Sequence, residues 1–358
     1  MKKIDRYILL KFIKSFLIGT FAFLNIFILS ELFRIMSYIM DGKLNFIQGM
    51  ELLLVGLPEV AVNVVPLGIL LGGLMTINKM ATNLEIIALK TSGISFKRII
   101  LSPIIFSIFI SLFMLWFNND IVPKGNKRKR ELKYKKIYKV KDSRIKTDVF
   151  LKGSGNYLYY IRLVNGGNQT INNIEILEMN DKLDDIKRII IAKKGKYDRN
   201  LKRWVLYKVK INNVAVNETS SSEIFYPGFI KEDIKDFLRD KIREDEMTVR
   251  DLNESAKFIK KTGGDTKKIM VSLYKKTAYP FAGLIMSFIG LSLGSRYVRG
   301  ASAVSIGLSV VIGYIYYVVM ATTEAMGIGG FLSPILGAWI PNIIFLGLGI
   351  FTMSRAEY

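Results

Sequence analysis

The sequence contains no cysteine and no histidine. Without cysteine there is no disulfide framework, no thiolate nucleophile and no thiolate metal ligand. Without histidine there is no Ser-His-Asp triad, no HExxH zinc site and no imidazole acid or base near neutral pH. A GxxxxGK[ST] phosphate-binding loop is also missing, so the chain has no evident means of hydrolysing ATP itself. Acids are scarce relative to bases, with 30 Asp and Glu against 52 Lys and Arg and a formal charge of +22. Apolar residues, by contrast, are abundant: they make up half of the 358 positions, and mean hydropathy is +0.28. A disordered chain would be far less apolar. This composition indicates a membrane protein that is not an enzyme and holds no resident cofactor or metal.

Apolar stretches near the roughly 20 residues that cross a bilayer occur six times, the first with Glu31 and Arg34 inside it and the second with Glu59. They are residues 15–40, 52–77, 99–117, 277–295, 301–323 and 331–354, three before and three after a long polar middle. The segment EAMGIGG between the last two reads as a tight hairpin turn. With the N-terminus in the cytoplasm, the short loops on that side hold Lys2, Lys3, Arg6, Lys11, Lys14, Lys79, Lys90, Lys97, Arg98, Arg296, Arg299 and Arg355. The opposite short loops hold only Lys43. That asymmetry predicts cytoplasmic N- and C-termini and an external polar middle. The first apolar stretch is too long for a signal peptide and lacks a small-residue cleavage site, so it reads as an uncleaved helix.

Within the middle, the runs DVFLKG, YLYYIRLV, IEILEM, IKRIIIAKKG and RWVLYKVKI are of strand length and are separated by turn residues. Their spacing predicts an all-β sandwich or roll. In the last run, alternation assigns Trp204, Leu206, Lys208 and Lys210 to one face and Val205, Tyr207, Val209 and Ile211 to the other. From Thr248 the pattern turns helical, with Thr248 as N-cap, Asp251 three residues on and Gly263–Gly264 as the stop. Four segments result: helices one to three over 1–118, a β domain over 119–247, a linker helix over 248–276 and helices four to six over 277–358. Residues 118–276 carry 38 Lys and Arg against 22 Asp and Glu. Two explanations stand: attraction to an anionic ligand or lipid headgroup, or a compositional bias that makes every solvated face basic. The KRKR run at 127–130 lies outside the membrane and no aromatic-interleaved RNA motif accompanies it, so no nucleic acid partner is expected.

Charges in or beside the spans are Glu31, Arg34, Glu51, Glu59 and Glu324. Glu31 and Arg34 share a helix face near the outer headgroup level, as a ligand site or as an interfacial ion pair that anchors the helix. Glu59 and Glu324 lie near outer span ends, where snorkelling accommodates them. No span carries the midplane charge of an ion-coupled carrier, so energy for transport must come from a partner. Between the second and third spans the chain reads INKMATNLEIIALKTSGISFKRI. Thr82 or Asn83 is positioned to cap a short helix, about 83–92, that ends at Gly93. Ile86, Leu89 and Gly93 fall on one side; Glu85, Ala88 and Ser92 fall on the adjacent one. Such a helix suits a transmitter docked into a cytoplasmic motor, or an ordinary loop helix lying on the membrane.

The segments DRYILLKFIKSF, PLGILLGGLMTINKMATNLEIIALKTSGIS and SPILGAWIPNIIF resemble the lipopolysaccharide-export permease family, whose paired F and G subunits serve an ABC exporter. The likeness extends over both membrane halves and their order around the β domain. It implies a six-helix inner-membrane subunit with an inserted periplasmic β-jelly roll. Implied partners are an LptB-like cytoplasmic ABC ATPase dimer that hydrolyses the ATP, a second permease of the family, LptC- and LptA-like bridge proteins, lipopolysaccharide and membrane lipid. The short loop helix would be the coupling helix, with Glu85 engaging the ATPase among Leu84, Ile86, Ala88, Leu89, Ser92 and Gly93. Arg34 matches a basic first-helix position associated with lipid phosphates, whereas Glu31 departs from the family there. ELFRIM and GLPEV look more like the F subunit; the linker helix and AWIPN look more like G. A membrane-anchored binding or assembly module that transports nothing is the alternative.

Overall fold

The computed structural model describes residues 3–137, 145–153, 155–180, 185–198, 203–214, 218–238, 243–261, 264–294 and 301–356. Lys2, Gly263, Arg296, Arg299 and parts of the turns at 153–156, 180–185 and 198–202 lie outside the described residues. In chain order, α1 (Lys3–Met40), α2 (Phe46–Thr82), α3 (Glu85–Thr91), α4 (Phe96–Asp120) and α5 (Val122–Leu132) come first. The strands are β1 (Ile145–Lys152), β2 (Tyr157–Asn165), β3 (Thr170–Met179), β4 (Ile186–Asp198), β5 (Arg203–Asn213) and β6 (Glu218–Phe225). Then follow α6 (Ile234–Leu238), α7 (Val249–Lys261), α8 (Lys267–Ala278), α9 (Ala282–Leu293), α10 (Ala301–Gly329) and α11 (Pro334–Ala356). These elements form two units, one of Met1–Tyr138, Arg243–Lys257 and Asp265–Tyr358, the other of Lys139–Ile242 and Phe258–Gly264.

Six helical stretches of the first unit are long and apolar enough to cross a membrane. They are Lys3–Met40, Phe46–Thr82, Phe96–Leu132, Lys267–Leu293, Val304–Gly329 and Pro334–Arg355. The chain is an α-helical, multi-pass membrane protein with a β domain inserted between its helices. α2 is buried over most of its length and packs against α1, α4, α9 and α10. Close approach depends on residues without a side chain: a Cβ at Gly72 would lie 2.7 Å from the Phe16 Cα, and one at Gly290 would lie 2.5 Å from the Leu70 carbonyl oxygen. Helices that share hydrocarbon as a solvent gain little from apolar burial against one another, so small residues and polar bridges hold them. Asn78 donates to Ser305 at 2.6 Å; Tyr316 donates to the Asn342 side chain at 2.9 Å, and Asn342 donates to the Ala278 carbonyl at 2.7 Å.

α10 runs straight through the segment expected to be a turn and ends at Gly329. Nothing in EAMGIG breaks a helix; the reversal waits for Gly330, which adopts φ 83°. Thr248 caps α7 as its sequence suggests. Its hydroxyl and amide both donate to Asp251, at 2.8 and 3.0 Å, and its hydroxyl accepts from the Asp251 amide at 3.2 Å.

The second unit is a single antiparallel sheet in the order β1 to β6. One face buries Tyr159, Ile161, Ile174, Ile176, Ile190 and Trp204, and Ile230, Ile234 and Phe237 from the segment after β6 join that core. The Trp204 indole donates to the Glu232 carbonyl at 2.8 Å, and Tyr159 donates to the Glu232 carboxylate at 3.0 Å. Strand alternation slips by one position along a line across the sheet: Ile161 gives way to Val164, Ile174 to Ile171, Ala192 to Gly195 and Leu206 to Val209. On that line Asp148, Asn173 and Lys208 have φ of 52°, 50° and 53°. The faces expected for β5 are thereby corrected. Trp204, Leu206 and Val209 are buried together because the left-handed backbone at Lys208 reverses the alternation beyond it.

Candidate functional site

The residues singled out from sequence fall into two clusters of the helical unit. The first is α3, a two-turn helix between α2 and α4. Neither Thr82 nor Asn83 caps it: the Thr82 hydroxyl returns to the Asn78 carbonyl at 2.9 Å, and the N-cap position is Leu84 with φ 59°. The expected stop holds. Gly93 takes φ 79°, and the amides of Gly93 and Ile94 donate to the carbonyls of Lys90 and Leu89, each at 3.0 Å.

Ile86 is buried and Leu89 packs beside it in a core shared with Ile8, Phe12, Ile77, Met80, Phe96 and Ile99. These two side chains fasten the helix to the bundle. Leu84, Ala88, Ser92 and Gly93 are exposed, as is Ile87, which sequence reasoning did not single out. Leu84 and Ile87 are 59% and 57% exposed, a pair of large apolar side chains facing outward one turn apart. An i, i+3 apolar pair on the face opposite Ile86 and Leu89 is the signal that marks it in the sequence.

Glu85 lies on a third side. Lys11 donates to both of its carboxylate oxygens at 2.6 Å, while Tyr7 and Asn83 each donate at 3.1 Å. Burial pushes this carboxyl up, but the hydrogen bonds from Lys11, Asn83 and Tyr7 and the ammonium charge outweigh it and hold Glu85 below the usual range. Nearby, Arg98 at the start of α4 donates to Asp5 at 2.8 Å, and Ser102 donates to the Asp5 carbonyl at 3.2 Å.

The second cluster surrounds the C-terminal part of α1. Arg34 pairs with Glu31. Lys129 of α5 reaches Glu31 at 3.3 Å and Glu59 at 3.7 Å, and a Cβ at Gly56 would stand 3.2 Å from its ammonium nitrogen. The GLPEV sequence thus supplies both the space and a carboxylate for Lys129. Two cations face two carboxylates, Lys133 adds a third positive charge beside Arg34, Lys129 and Glu31, and Arg34 remains 47% exposed at its side chain. The same α5 places Arg128 2.8 Å from Glu51 and Arg130 3.0 Å from Glu246. Three of the four bases of the KRKR run are therefore counter-ions of acids far away in sequence. Glu324 likewise pairs with Lys275 at 2.6 Å. Among the described residues no group of three or more Asp or Glu is arranged to hold a metal ion.

The profile of the lipopolysaccharide export system permease LptF/LptG family matches residues 6–355, nearly the whole chain. The chain belongs to this family. Among its relatives are LptG of Escherichia coli K12, 20% identical over 305 residues and covering 81% of each chain, and LptG of Haemophilus influenzae, 21% identical over 292 residues with the same coverage. LptF of Escherichia coli K12 is 21% identical over 358 residues, covering 97% of this chain and 93% of its own. LptF and LptG relatives thus stand at nearly equal distance in identity from this member of the LptF/LptG family.

Proposed function

We propose that the chain is one permease subunit of an ATP-driven exporter that takes lipopolysaccharide from the outer leaflet of the inner membrane and passes it through a periplasmic β domain to a bridge. Membership of the family across residues 6–355 is the observation that carries this function. The excess of Lys and Arg in one set of short loops supports cytoplasmic termini and a periplasmic β domain.

In this mechanism a cytoplasmic ABC ATPase dimer docks on α3. Ile86 and Leu89 root that helix in the bundle while Leu84 and Ile87 offer the apolar knobs that enter the motor. A second permease of the same family completes a cavity that receives the lipid, and closure of the motor collapses it. Arg34 meets lipid phosphate by exchanging its Glu31 contact for the ligand, with Lys129 left to neutralise Glu31. Each methylene taken out of the bilayer costs roughly 0.8 kcal/mol if it meets water, so a multi-acyl lipid needs both ATP and a continuous apolar path. The β-domain core around Tyr159, Trp204 and Phe237 is filled by its own side chains, so acyl chains would enter the domain by displacing them.

The test is reconstitution with the cognate ATPase and second permease in vesicles containing lipopolysaccharide. ATP-dependent release of lipid to a bridge protein, lost with Ile87→Asp together with ATPase co-elution, is the expected outcome. A chain that elutes alone and releases nothing would place it with membrane-anchored assembly modules.

A further inference from the structure

Glu85 has no free coordination to offer. Each of its oxygens accepts from Lys11 at 2.6 Å, and each also accepts a second donor, Asn83 on one and Tyr7 on the other. Two of those donors belong to α1, whose ammonium group also sits 4.3 Å from the centroid of the Tyr7 ring. The side chains of Lys11 and Glu85 are only 24% and 22% exposed. Charge-assisted contacts of this kind are the stronger class of hydrogen bond, and two donors on one helix fix direction as well as distance. A carboxylate so occupied is a grip on its own chain before it is a contact for another.

What it grips is the one of the first three long helices that contains no proline. α1 runs unbroken from Lys3 to Met40 with no proline, whereas α2 contains Pro58 and Pro66 and α4 contains Pro103. Proline in a helix removes a backbone hydrogen bond and allows a kink. Lys11 and Arg34 lie 23 residues apart on the same rod, roughly 35 Å at 1.5 Å per residue. Asp5 and Arg98 secure the same end of α1 to the start of α4, just beyond α3.

We infer that Lys11, aided by Tyr7, is a positioning residue that latches α3 to α1 through Glu85, so that displacement of α3 is handed along α1 to the Glu31–Arg34 region. The inference rests on α3 being the docking helix, and it assigns Glu85 a task inside the chain.

The experiment compares Lys11→Glu, Glu85→Lys and the double swap in the full complex with ATPase and second permease. Three quantities are read: co-elution, ATP hydrolysis and lipid released per ATP. Lys11→Glu is expected to keep co-elution, and both single variants to lose at least about tenfold in lipid per ATP, the scale of losing one partner of a charge-assisted contact. The double swap should recover most of that loss, because the pair is re-formed with its signs exchanged. Singles that release lipid normally, or a swap that recovers nothing while all variants co-elute, would overturn the latch and move the role of Glu85 to the motor surface. Absence of co-elution in the wild-type chain would instead sink the docking role of α3. If the reversed singles do not fold, Lys11→Met against Lys11→Arg carries the comparison, since only the arginine keeps the charge. Equal release per ATP by those two would likewise overturn the latch.

Discussion

The helical unit and the β unit handle apolar side chains in opposite ways. In the sheet they turn inward: Tyr159, Trp204 and Phe237 are at most 1% exposed, and Glu232 satisfies the two polar groups that accompany them. In the helices they also turn outward: Phe21 and Phe33 of α1 and Tyr314 of α10 are between 68% and 70% exposed. The sheet closes its core with its own residues. The helices leave faces for hydrocarbon or for another helix, and hold together internally through close glycines and hydrogen bonds. Apolar surface therefore lies open along the helices, and at the sheet only at scattered positions such as Phe150, which is 77% exposed.

The largest break in this contrast is expected from Trp204→Ala. Truncation of a buried tryptophan costs about 3–5 kcal/mol, and here it also removes the indole hydrogen bond to the Glu232 carbonyl. Limited proteolysis should then cleave within residues 145–238 while the helical unit stays resistant. Phe33→Ala on α1, an exposed aromatic truncation in the other unit, should leave proteolysis of both units unchanged.

A smaller break comes from Gly290→Ala. The new methyl would press on the Leu70 carbonyl, and overpacking of this kind costs about 1–3 kcal/mol. Thermal unfolding of the helical unit should shift downward with the sheet unaffected. Smaller still is Thr248→Ala, which removes the cap of α7 at a cost of about 1 kcal/mol. Asp251 sharpens that case, since hydrogen bonds from the Thr248 amide and hydroxyl hold its carboxyl below the ordinary value of 3.8. A depressed carboxyl contributes stability fully above that value and loses it as pH falls below. The gap between wild type and variant in a urea titration should therefore narrow below about pH 4.

The six apolar stretches, the three-plus-three order and strands β1 to β5 are legible because each depends on local periodicity. β6 is not. ETSSSEIF carries no apolar alternation and is exposed at every position but Phe225; it becomes a strand only because β5 offers an edge. The slip at Lys208 is equally hidden, since nothing in RWVLYKVKI announces a left-handed lysine. In the candidate site, Gly93 and the inward pair Ile86 and Leu89 follow from helix chemistry. The partners of the acids do not, because Glu85 finds Lys11 74 residues away and Glu51 finds Arg128 at 77. Snorkelling is not the whole account of Glu59 and Glu324, because α5 and α8 bring Lys129 and Lys275 beside them.

The absence of cysteine makes the central claim directly measurable, because one introduced thiol is the only one in the chain. Ile87→Cys should react quickly with a maleimide in the isolated subunit and be protected once the ATPase is bound. Ile86→Cys, buried beneath it, should stay slow in both states. Undiminished labelling at position 87 in the ATPase-bound complex would contradict docking on α3.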